Sequence, residues 1–287
     1  MENNASIQIG LDWWCCHNSL MTGVTSLAQF FQLAASAGCQ GVGLDYFALP
    51  KAMRADPSPL LKIRRKYDMQ VVFGFGVPLS SPEVAWQMIT DDWERALLIA
   101  QQLGASVFTL HGGMSLALPG IPPIGLSLGR RRENKAIARR LQEIAPQIID
   151  VGLQPALLNN GRMDADRLQE LEADLAGIEL KVGFNSGWAV MQGHDPYREA
   201  ARLAPMAAYV MLRDVPKNNR GAAISPGEGE IELIEIMRLF ARSEYQGLFS
   251  LEFALPPWKH RREQTMATAG LTRLQQLAQR LEKEIAS

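Results

Sequence analysis

The sequence predicts an α/β fold, because eight short apolar runs alternate with amphipathic stretches along the chain. Most of these runs are continuously apolar, which is typical of parallel strands that are covered on both faces. Eight strands alternating with helices across 287 residues predict one (β/α)8 barrel domain over residues 1–287. A doubly wound open sheet is the competing architecture. It is disfavoured by the strand count and by the missing glycine-rich fingerprint after the first strand.

The first predicted strand is "SIQIGLDW" and the last is "GLFSLEF". The eight predicted strands span residues 6–13, 41–47, 70–75, 106–112, 153–159, 178–185, 207–214 and 247–253.

Six intervening segments have the apolar spacing of helices. Residues 25–38 end in a glycine, a usual helix stop, and residues 90–104 open with Thr90 and two acids that favour a helix N-terminus. The remaining predicted helices span residues 133–152, 164–177, 229–243 and 262–286.

Composition excludes several function classes. The chain is 47% hydrophobic and 21% charged, with a net charge of -1, so no general attraction to nucleic acid or anionic membranes is expected. Its apolar runs are shorter than the ~20 residues that span a bilayer, and its start lacks the features of a secretory signal. Cys15, Cys16 and Cys39 do not form a disulfide framework, so reduced thiols and a cytoplasmic location are expected.

In a barrel of this kind the functional site lies at the carboxyl ends of the strands. This rule selects His111 after the fourth strand and Glu252 after the eighth. An inward carboxylate there is costly unless it is used or paired, so Glu252 is either a functional acid or one half of a structural ion pair. His111 is either functional or a buried histidine whose hydrogen bonds are satisfied.

Five motifs at the strand ends occur in the order of a known family. They are "AQQLGASVFTLHGG", "FNSGWAVMQGHDP", "YVMLRDV", "PGEGEIE" and "YQGLFSLEF". Through them the chain resembles the xylose isomerase-like TIM-barrel superfamily, the sugar phosphate isomerase/epimerase family, over nearly its whole length. The resemblance implies isomerase or epimerase chemistry, a small-molecule substrate and a homo-oligomer.

The resemblance also implies a divalent metal held by Glu, Asp, His and Glu after strands five to eight. These positions fall on Leu158, Asn185, Met211 and Glu252, so three of the four ligands are replaced. Leucine cannot bind a metal, and a thioether is a poor ligand for Mg²⁺ or Mn²⁺. We therefore expect a divergent member of the family that has no metal and no cofactor.

Isomerisation next to a carbonyl needs a base and a group that stabilises the enolate. Glu252 is the predicted base, and His111 and Arg213 are the predicted stabilising groups, as in other barrels that enolise substrates without a metal. If Leu212 and Asp214 point into the barrel, alternation turns Arg213 outward toward the helices.

Residues around the strand ends are candidates for substrate binding. Aromatic rings can stack on a substrate or pack beneath the rim, and Asp214 can contact substrate or fix its loop. The candidates are Trp13, Trp14, His17, Asn159, Asn185, Trp188, Asp214, Lys217, Trp258, Lys259 and Arg261.

Basic clusters at residues 129–135, 217–220 and 259–262 follow strands four, seven and eight. If they converge, they favour an anionic substrate such as a phosphate or carboxylate; otherwise they form ordinary surface ion pairs.

Two functions remain open at this point. One is a metal-independent isomerase, epimerase or lyase that acts on a carbonyl-containing, possibly anionic, small molecule. The other is a non-catalytic barrel that binds a ligand or a partner. The nucleic-acid-cleaving branch of the resembled family is disfavoured, because it needs several metal-binding histidines and this chain has four His in all.

Overall fold

The computed structural model describes residues 6–113, 130–160, 163–175, 177–217 and 224–287. Its strands are β1 (Gln8–Asp12), β2 (Gly41–Asp45), β3 (Gln70–Pro78), β4 (Val107–His111), β5 (Gln154–Leu158), β6 (Lys181–Asn185), β7 (Ala207–Leu212) and β8 (Leu248–Leu251).

These strands pair in chain order, and β1 pairs with β8 to close the barrel. Every adjacent pair is parallel. The predicted (β/α)8 TIM barrel is therefore confirmed, and the carboxyl ends of all eight strands meet at one end, called the mouth below.

Helices surround the strands. The α-helices of the described residues are α1 (His17–Met21), α2 (Leu27–Ser36), α3 (Lys51–Ala55), α4 (Ser58–Tyr67), α5 (Glu83–Gln87), α6 (Thr90–Gln102), α7 (Arg130–Asp150), α8 (Ala165–Asp174), α9 (Ser186–Met191), α10 (Pro196–Leu203), α11 (Leu233–Arg242) and α12 (Glu263–Ala286). Short 3₁₀ helices span Trp13–Cys16, Tyr46–Ala48, Ala204–Met206 and Pro257–Arg262.

All six predicted helices are present, with ends that differ by a few residues. Helix α2 begins at a capping box, in which the Ser26 and Gln29 side chains satisfy each other's backbone N–H groups. It ends before Gly38, whose φ of +74° suits glycine. Helices α1, α3, α4, α5, α9 and α10 were not predicted, since most are only one or two turns long.

Alternation along the strands divides the core in two. An outer core between sheet and helices includes Ile9 and Leu11 of β1. A smaller inner cluster fills the barrel, and it contains Val72, Val107, Ala156, Leu158, Tyr209, Met211 and Leu248. The inner cluster forms the floor beneath the mouth.

Glycine occupies several inward positions of β1 and β2. A Cβ atom on Gly43 would overlap the Tyr209 hydroxyl and the Asp12 carboxylate, and one on Gly10 would overlap Ser250. These glycines allow large side chains from other strands to cross the barrel, as the layered packing of such barrels requires.

Among the described residues, no helix is both long enough and apolar enough to cross a membrane. The cysteines Cys15, Cys16 and Cys39 are free thiols and are buried.

Candidate functional site

Glu252 lies at the mouth directly after β8 and is buried. Its Oε2 accepts a hydrogen bond from Asn185 Nδ2 at 2.9 Å, and its Oε1 lies 3.4 Å from Nη1 of Arg213. The carboxylate thus has an amide donor from β6 and a positive charge from the segment after β7. Glu252 therefore forms an ion pair with Arg213, and such a pair was one of the two roles that the sequence left open for Glu252.

Arg213 faces the barrel axis, because the condition for an outward direction, an inward Leu212, is not met. Leu212 packs in the outer core, whereas Tyr209 and Met211 belong to the inner cluster, and Arg213 continues their alternation. Its backbone N–H donates to Ser186 Oγ at 3.0 Å, and that hydroxyl donates to the Arg213 carbonyl at 2.7 Å. A Cβ atom on Gly187 would overlap the Arg213 side chain, so this glycine makes room for it.

A pair of asparagines fixes the β5 and β6 side of the mouth. Asn185 N–H donates to Asn159 Oδ1 at 2.7 Å, and Asn159 Nδ2 donates back to the Asn185 carbonyl at 3.1 Å. The Asn185 side-chain oxygen caps α9 by accepting from Trp188 N–H at 3.1 Å. Both predicted residues are therefore held in place by the backbone, which leaves Asn185 Nδ2 directed at Glu252.

The residues at the four implied ligand positions do not fit a divalent metal. Leu158 and Met211 pack in the inner cluster, and both oxygens of Glu252 already lie near N–H donors. A hard cation needs several oxygen ligands, and here an amide NH₂ and a guanidinium are directed at the remaining carboxylate. No group of three or more His, Cys, Asp or Glu side chains suited to a metal occurs in the described part of the chain.

His111 lies on the opposite wall, because β4 is four strands from β8 in the closed barrel. Its Nδ1 is 2.5 Å from Nδ2 of Asn160, which follows β5. Burial lowers the pKa of His111 to about 4, so the imidazole is neutral at neutral pH.

Two buried carboxyl groups at strand ends are not among the catalytic or substrate-binding residues that the sequence predicts. Asp12 ends β1 and Asp45 ends β2, and each caps the 3₁₀ helix that follows it. The hydroxyl of Tyr209 donates to Asp12 Oδ2 at 2.8 Å from across the barrel. A sequence signal existed, because both strands end in the same triplet, Gly-Leu-Asp.

Burial raises the pKa of Asp12 to about 7, and the negative charge of Glu252 adds to the increase. Burial also raises the pKa of Asp45 to about 7, with a smaller contribution from the charge of Asp12. The mouth therefore contains carboxyl groups that exchange protons near neutral pH as well as a carboxylate paired with arginine.

Aromatic side chains surround the β1 end of the mouth. The ring centroids of Trp13 and Trp14 are 4.6 Å apart, and those of Trp14 and His17 are 5.0 Å apart. His17 Nδ1 contacts the Trp14 carbonyl at 2.9 Å, and all three rings are half-buried. Trp188 is also half-buried, at the start of α9. Each ring therefore keeps some surface available for a ligand.

Asp214 fixes the segment that leads to α11. Its two carboxylate oxygens accept four backbone N–H groups, from Val215, Gly227, Gly229 and Ile231. Asp214 therefore fixes the conformation of its loop, which was one of the two roles expected for it. A contact between Asp214 and substrate stays a prediction.

The basic candidates lie on the surface. Lys217 is exposed after β7, and Trp258, Lys259 and Arg261 are exposed on the 3₁₀ helix after β8. In the other basic segments, residue 129, the side chains at 130 and 131, and residues 218–220 lie outside the described residues. Convergence of the three segments therefore stays a prediction.

Comparison with known proteins agrees with the barrel fold. A family model described as xylose isomerase-like TIM barrel matches residues 31–277. A comparison with curated protein sequences found no match.

Solved structures with the same fold include several epimerases. A D-tagatose 3-epimerase-like protein has a TM-score of 0.73 and 18% identity, with 98% of this chain and 100% of that chain covered. A xylose isomerase domain protein from Alicyclobacillus acidocaldarius has a TM-score of 0.72 and 17% identity, with 97% and 100% covered. A D-psicose 3-epimerase from Clostridium cellulolyticum H10 has a TM-score of 0.72 and 12% identity, with 93% and 99% covered.

Proposed function

Because this chain belongs to the xylose isomerase-like TIM-barrel family, we propose that it is a sugar isomerase- or epimerase-like enzyme that works without a divalent metal. Its substrate is a small carbonyl compound from which a proton is removed at the carbon next to the carbonyl. Two solved structures with this fold are named as a D-tagatose 3-epimerase-like protein and a D-psicose 3-epimerase, which supports a keto sugar as the substrate class.

The observation that carries the proposal is the buried pair of Glu252 and Arg213, with 3.4 Å between Oε1 and Nη1. Glu252 accepts the carbon-bound proton, and the enolate that forms needs a positive charge or strong donors at its oxygen. Arg213 supplies a permanent positive charge beside Glu252, the one implied metal ligand that is retained. Its Nε–H is buried without a hydrogen-bond partner among the described residues, so a donor remains for a substrate oxygen.

The polar and aromatic surroundings suit a hydroxylated or anionic substrate. Oδ1 of Asn160 and Oε1 of Gln192 are buried acceptors that lack a partner within the described ranges, and substrate hydroxyl groups would satisfy them. Trp13, Trp14 and Trp188 supply stacking surface, and the exposed Lys217, Lys259 and Arg261 favour a phosphate or carboxylate group on the substrate.

The second candidate function is a barrel that binds a ligand or partner without catalysis. The observation that favours it is the apolar packing of Leu158 and Met211 at two of the implied ligand positions. A barrel of this kind would bind the same hydroxylated or anionic ligands, but Glu252 would not remove a proton from them.

Solvent deuterium incorporation separates the two functions. The chelator-treated protein would be incubated in D₂O with a panel of ketoses, aldoses and their phosphates, and exchange at the carbon next to the carbonyl would be followed by proton NMR. We expect exchange with at least one substrate, and a loss of about 10²-fold or more in Glu252→Gln and Arg213→Met.

Matched controls are Glu172→Gln and Arg198→Met, both at exposed positions on the outer helices α8 and α10. They should exchange at the native rate. Ligand binding by the native protein without any exchange would support the non-catalytic function, and exchange that appears only after a divalent metal is added would contradict metal independence.

A further inference from the structure

The contact between His111 and Asn160 determines which imidazole nitrogen carries the proton. His111 ends β4, and its carbonyl accepts the backbone N–H of Leu79 at 2.7 Å. Asn160 follows β5, and its carbonyl accepts the backbone N–H of Met163 at 3.2 Å. Both residues are therefore anchored through the backbone, and their 2.5 Å side-chain contact joins two fixed points.

Asn160 donates in this contact. Its Nδ2 faces His111 Nδ1, which must then be the unprotonated, accepting nitrogen, so the imidazole proton is on Nε2. In the observed orientation Oδ1 of Asn160 is buried and lacks a partner among the described residues. If the amide were turned over, Oδ1 would face His111 and the NH₂ group would take that buried position without a partner. Orphaned buried N–H donors are rarer than under-satisfied carbonyl oxygens, so the observed orientation is the favoured one.

We propose that Asn160 is a positioning residue that holds His111 as the neutral Nε2–H tautomer, and that Nε2–H donates a hydrogen bond to the carbonyl oxygen of the substrate. This inference rests on the proposed function and adds a second stabilising group on the wall opposite Glu252. His111 is partly exposed at the mouth, and no residue in the described part of the chain accepts from its Nε2.

The reaction step conserves protons without help from the imidazole. Glu252 takes the proton from the carbon, the electron pair of the C–H bond becomes the enolate, and the oxygen gains negative charge. His111 donates a hydrogen bond to that oxygen and keeps its proton. For an isomerisation, the proton on Glu252 then returns to the former carbonyl carbon, and the proton of the neighbouring substrate hydroxyl moves to the former carbonyl oxygen.

Two features of the structure favour a neutral imidazole. Within the described ranges His111 forms no ion pair with a carboxylate, and its strand neighbours at the mouth are Pro78 and Leu158. Burial lowers the pKa of His111, which agrees with these uncharged neighbours. A neutral donor also avoids adding a second full positive charge to a site that already holds Arg213.

Nitrogen NMR of protein labelled with ¹⁵N-histidine tests the tautomer directly. The His111 signal is assigned by its loss in His111→Gln, since the chain has four histidines. We expect a pyridine-type Nδ1 and a pyrrole-type Nε2 that do not titrate between about pH 5 and pH 8.

The Asn160→Asp variant should reverse the arrangement. A carboxylate accepts a hydrogen bond, so Nδ1 becomes protonated and the His111 signals begin to titrate in the neutral range. Deuterium exchange should fall about 10²-fold, the usual effect of losing one oxyanion donor. The control is Gln154→Glu, the same amide-to-carboxylate change at the opposite end of β5, which should leave the tautomer unchanged.

An Nδ1–H tautomer in the native protein, or a native His111 that titrates near pH 6.5, about the usual value for histidine, would overturn the inference. An unchanged tautomer and exchange rate in Asn160→Asp would overturn it as well. In each case deuterium exchange by the native protein would leave the proposed function standing. Absence of exchange in the native protein would instead reject the proposed function and, with it, the donor role of His111.

Discussion

At the scale of single residues, Glu252 and Arg213 depend on each other. Their side chains are 3% and 6% exposed, so neither charge is solvated by bulk water. A buried ion pair is not strongly stabilising in itself, but removal of one partner leaves an uncompensated charge. The pair therefore explains why an arginine is tolerated inside the mouth and why the carboxylate remains there.

A double-mutant cycle tests this dependence. We expect Arg213→Met to lower the free energy of unfolding by about 3–5 kcal/mol, because Glu252 is left buried without a cation. Arg213→Met combined with Glu252→Gln should be more stable than the sum of the single changes. The measurement is urea unfolding. The control is Arg64→Met, which breaks a surface ion pair with the exposed Asp68 and should lower the free energy of unfolding by at most about 1 kcal/mol. If the stability changes of the two single variants at the buried pair simply add in the double variant, Glu252 and Arg213 are not coupled.

Asp12 gives a pH-dependent prediction. Burial raises its pKa to about 7 in the folded chain, above the value of about 3.9 in the unfolded chain. Between these values the folded state binds more protons, so the contribution of Asp12 to stability falls as pH rises through this window and is level above it. Asp12→Asn has no proton to lose and should gain stability relative to the native protein as pH rises from about 4 to 7.

The gain should approach about 1.4 kcal/mol per pH unit inside the window. Urea unfolding at a series of pH values measures it, with the exposed Asp150→Asn as the control whose curve should run parallel to the native one. A constant difference between Asp12→Asn and the native protein at all pH values would show that the carboxyl is not perturbed by burial.

The sequence predicts some of these residues and not others, for a physical reason. Glu252 and His111 end strands, so strand positions alone place them at the mouth. The direction of Arg213 depends on which face of β7 is inward, and an apolar strand covered on both faces does not reveal this. The contact of Asn160 with His111 depends on how two loops meet in space, which residue spacing does not determine.

At the scale of elements, the inward glycines of β2 decide how side chains cross the barrel. Gly43 pairs with Asp12 in the sheet and leaves the space into which the Tyr209 hydroxyl extends. The hydrogen bond between Tyr209 of β7 and Asp12 of β1 therefore depends on Gly43 of β2 having no side chain.

Gly43→Ala should overpack this space and lower the free energy of unfolding by about 1–3 kcal/mol. It should also break the hydrogen bond between Tyr209 and Asp12, which ultraviolet difference spectra of tyrosine would detect. Gly76→Ala on β3 is the control, because its new Cβ would come no closer than 3.2 Å to a neighbouring atom, Oδ2 of Asp45. Equal stability of the two variants would contradict the packing argument.

The long elements were predictable because their apolar periodicity is strong. Strands β1 to β8 and helices α2, α6, α7, α8, α11 and α12 were all predicted. Helix α4 was missed, although the buried Leu60 and the half-buried Leu61, Ile63 and Tyr67 form an apolar face against the outer core. Helix α9 was missed because its start depends on the Asn185 side chain as a cap, in a stretch that otherwise continues the strand.

At the scale of the whole molecule, the family barrel is retained while residues at its mouth differ from the metal ligands that the resemblance implies. The eight strands close in the family order, but two implied ligand positions have joined the apolar inner cluster. A TIM barrel tolerates this because the site lies on the strand ends and the stability lies in the packed layers below. The cytoplasmic location and the homo-oligomer stay predictions.

The most direct test of the central claim is the metal content of the protein purified without chelator, measured by elemental mass spectrometry. We expect no stoichiometric Mg, Mn, Co or Zn, whereas a Leu158→Glu/Asn185→Asp/Met211→His variant, with Arg213→Ala added to remove the competing charge, should bind a divalent metal. One metal ion per native chain would contradict metal independence, because ligands other than the residues at the four implied positions would have to exist.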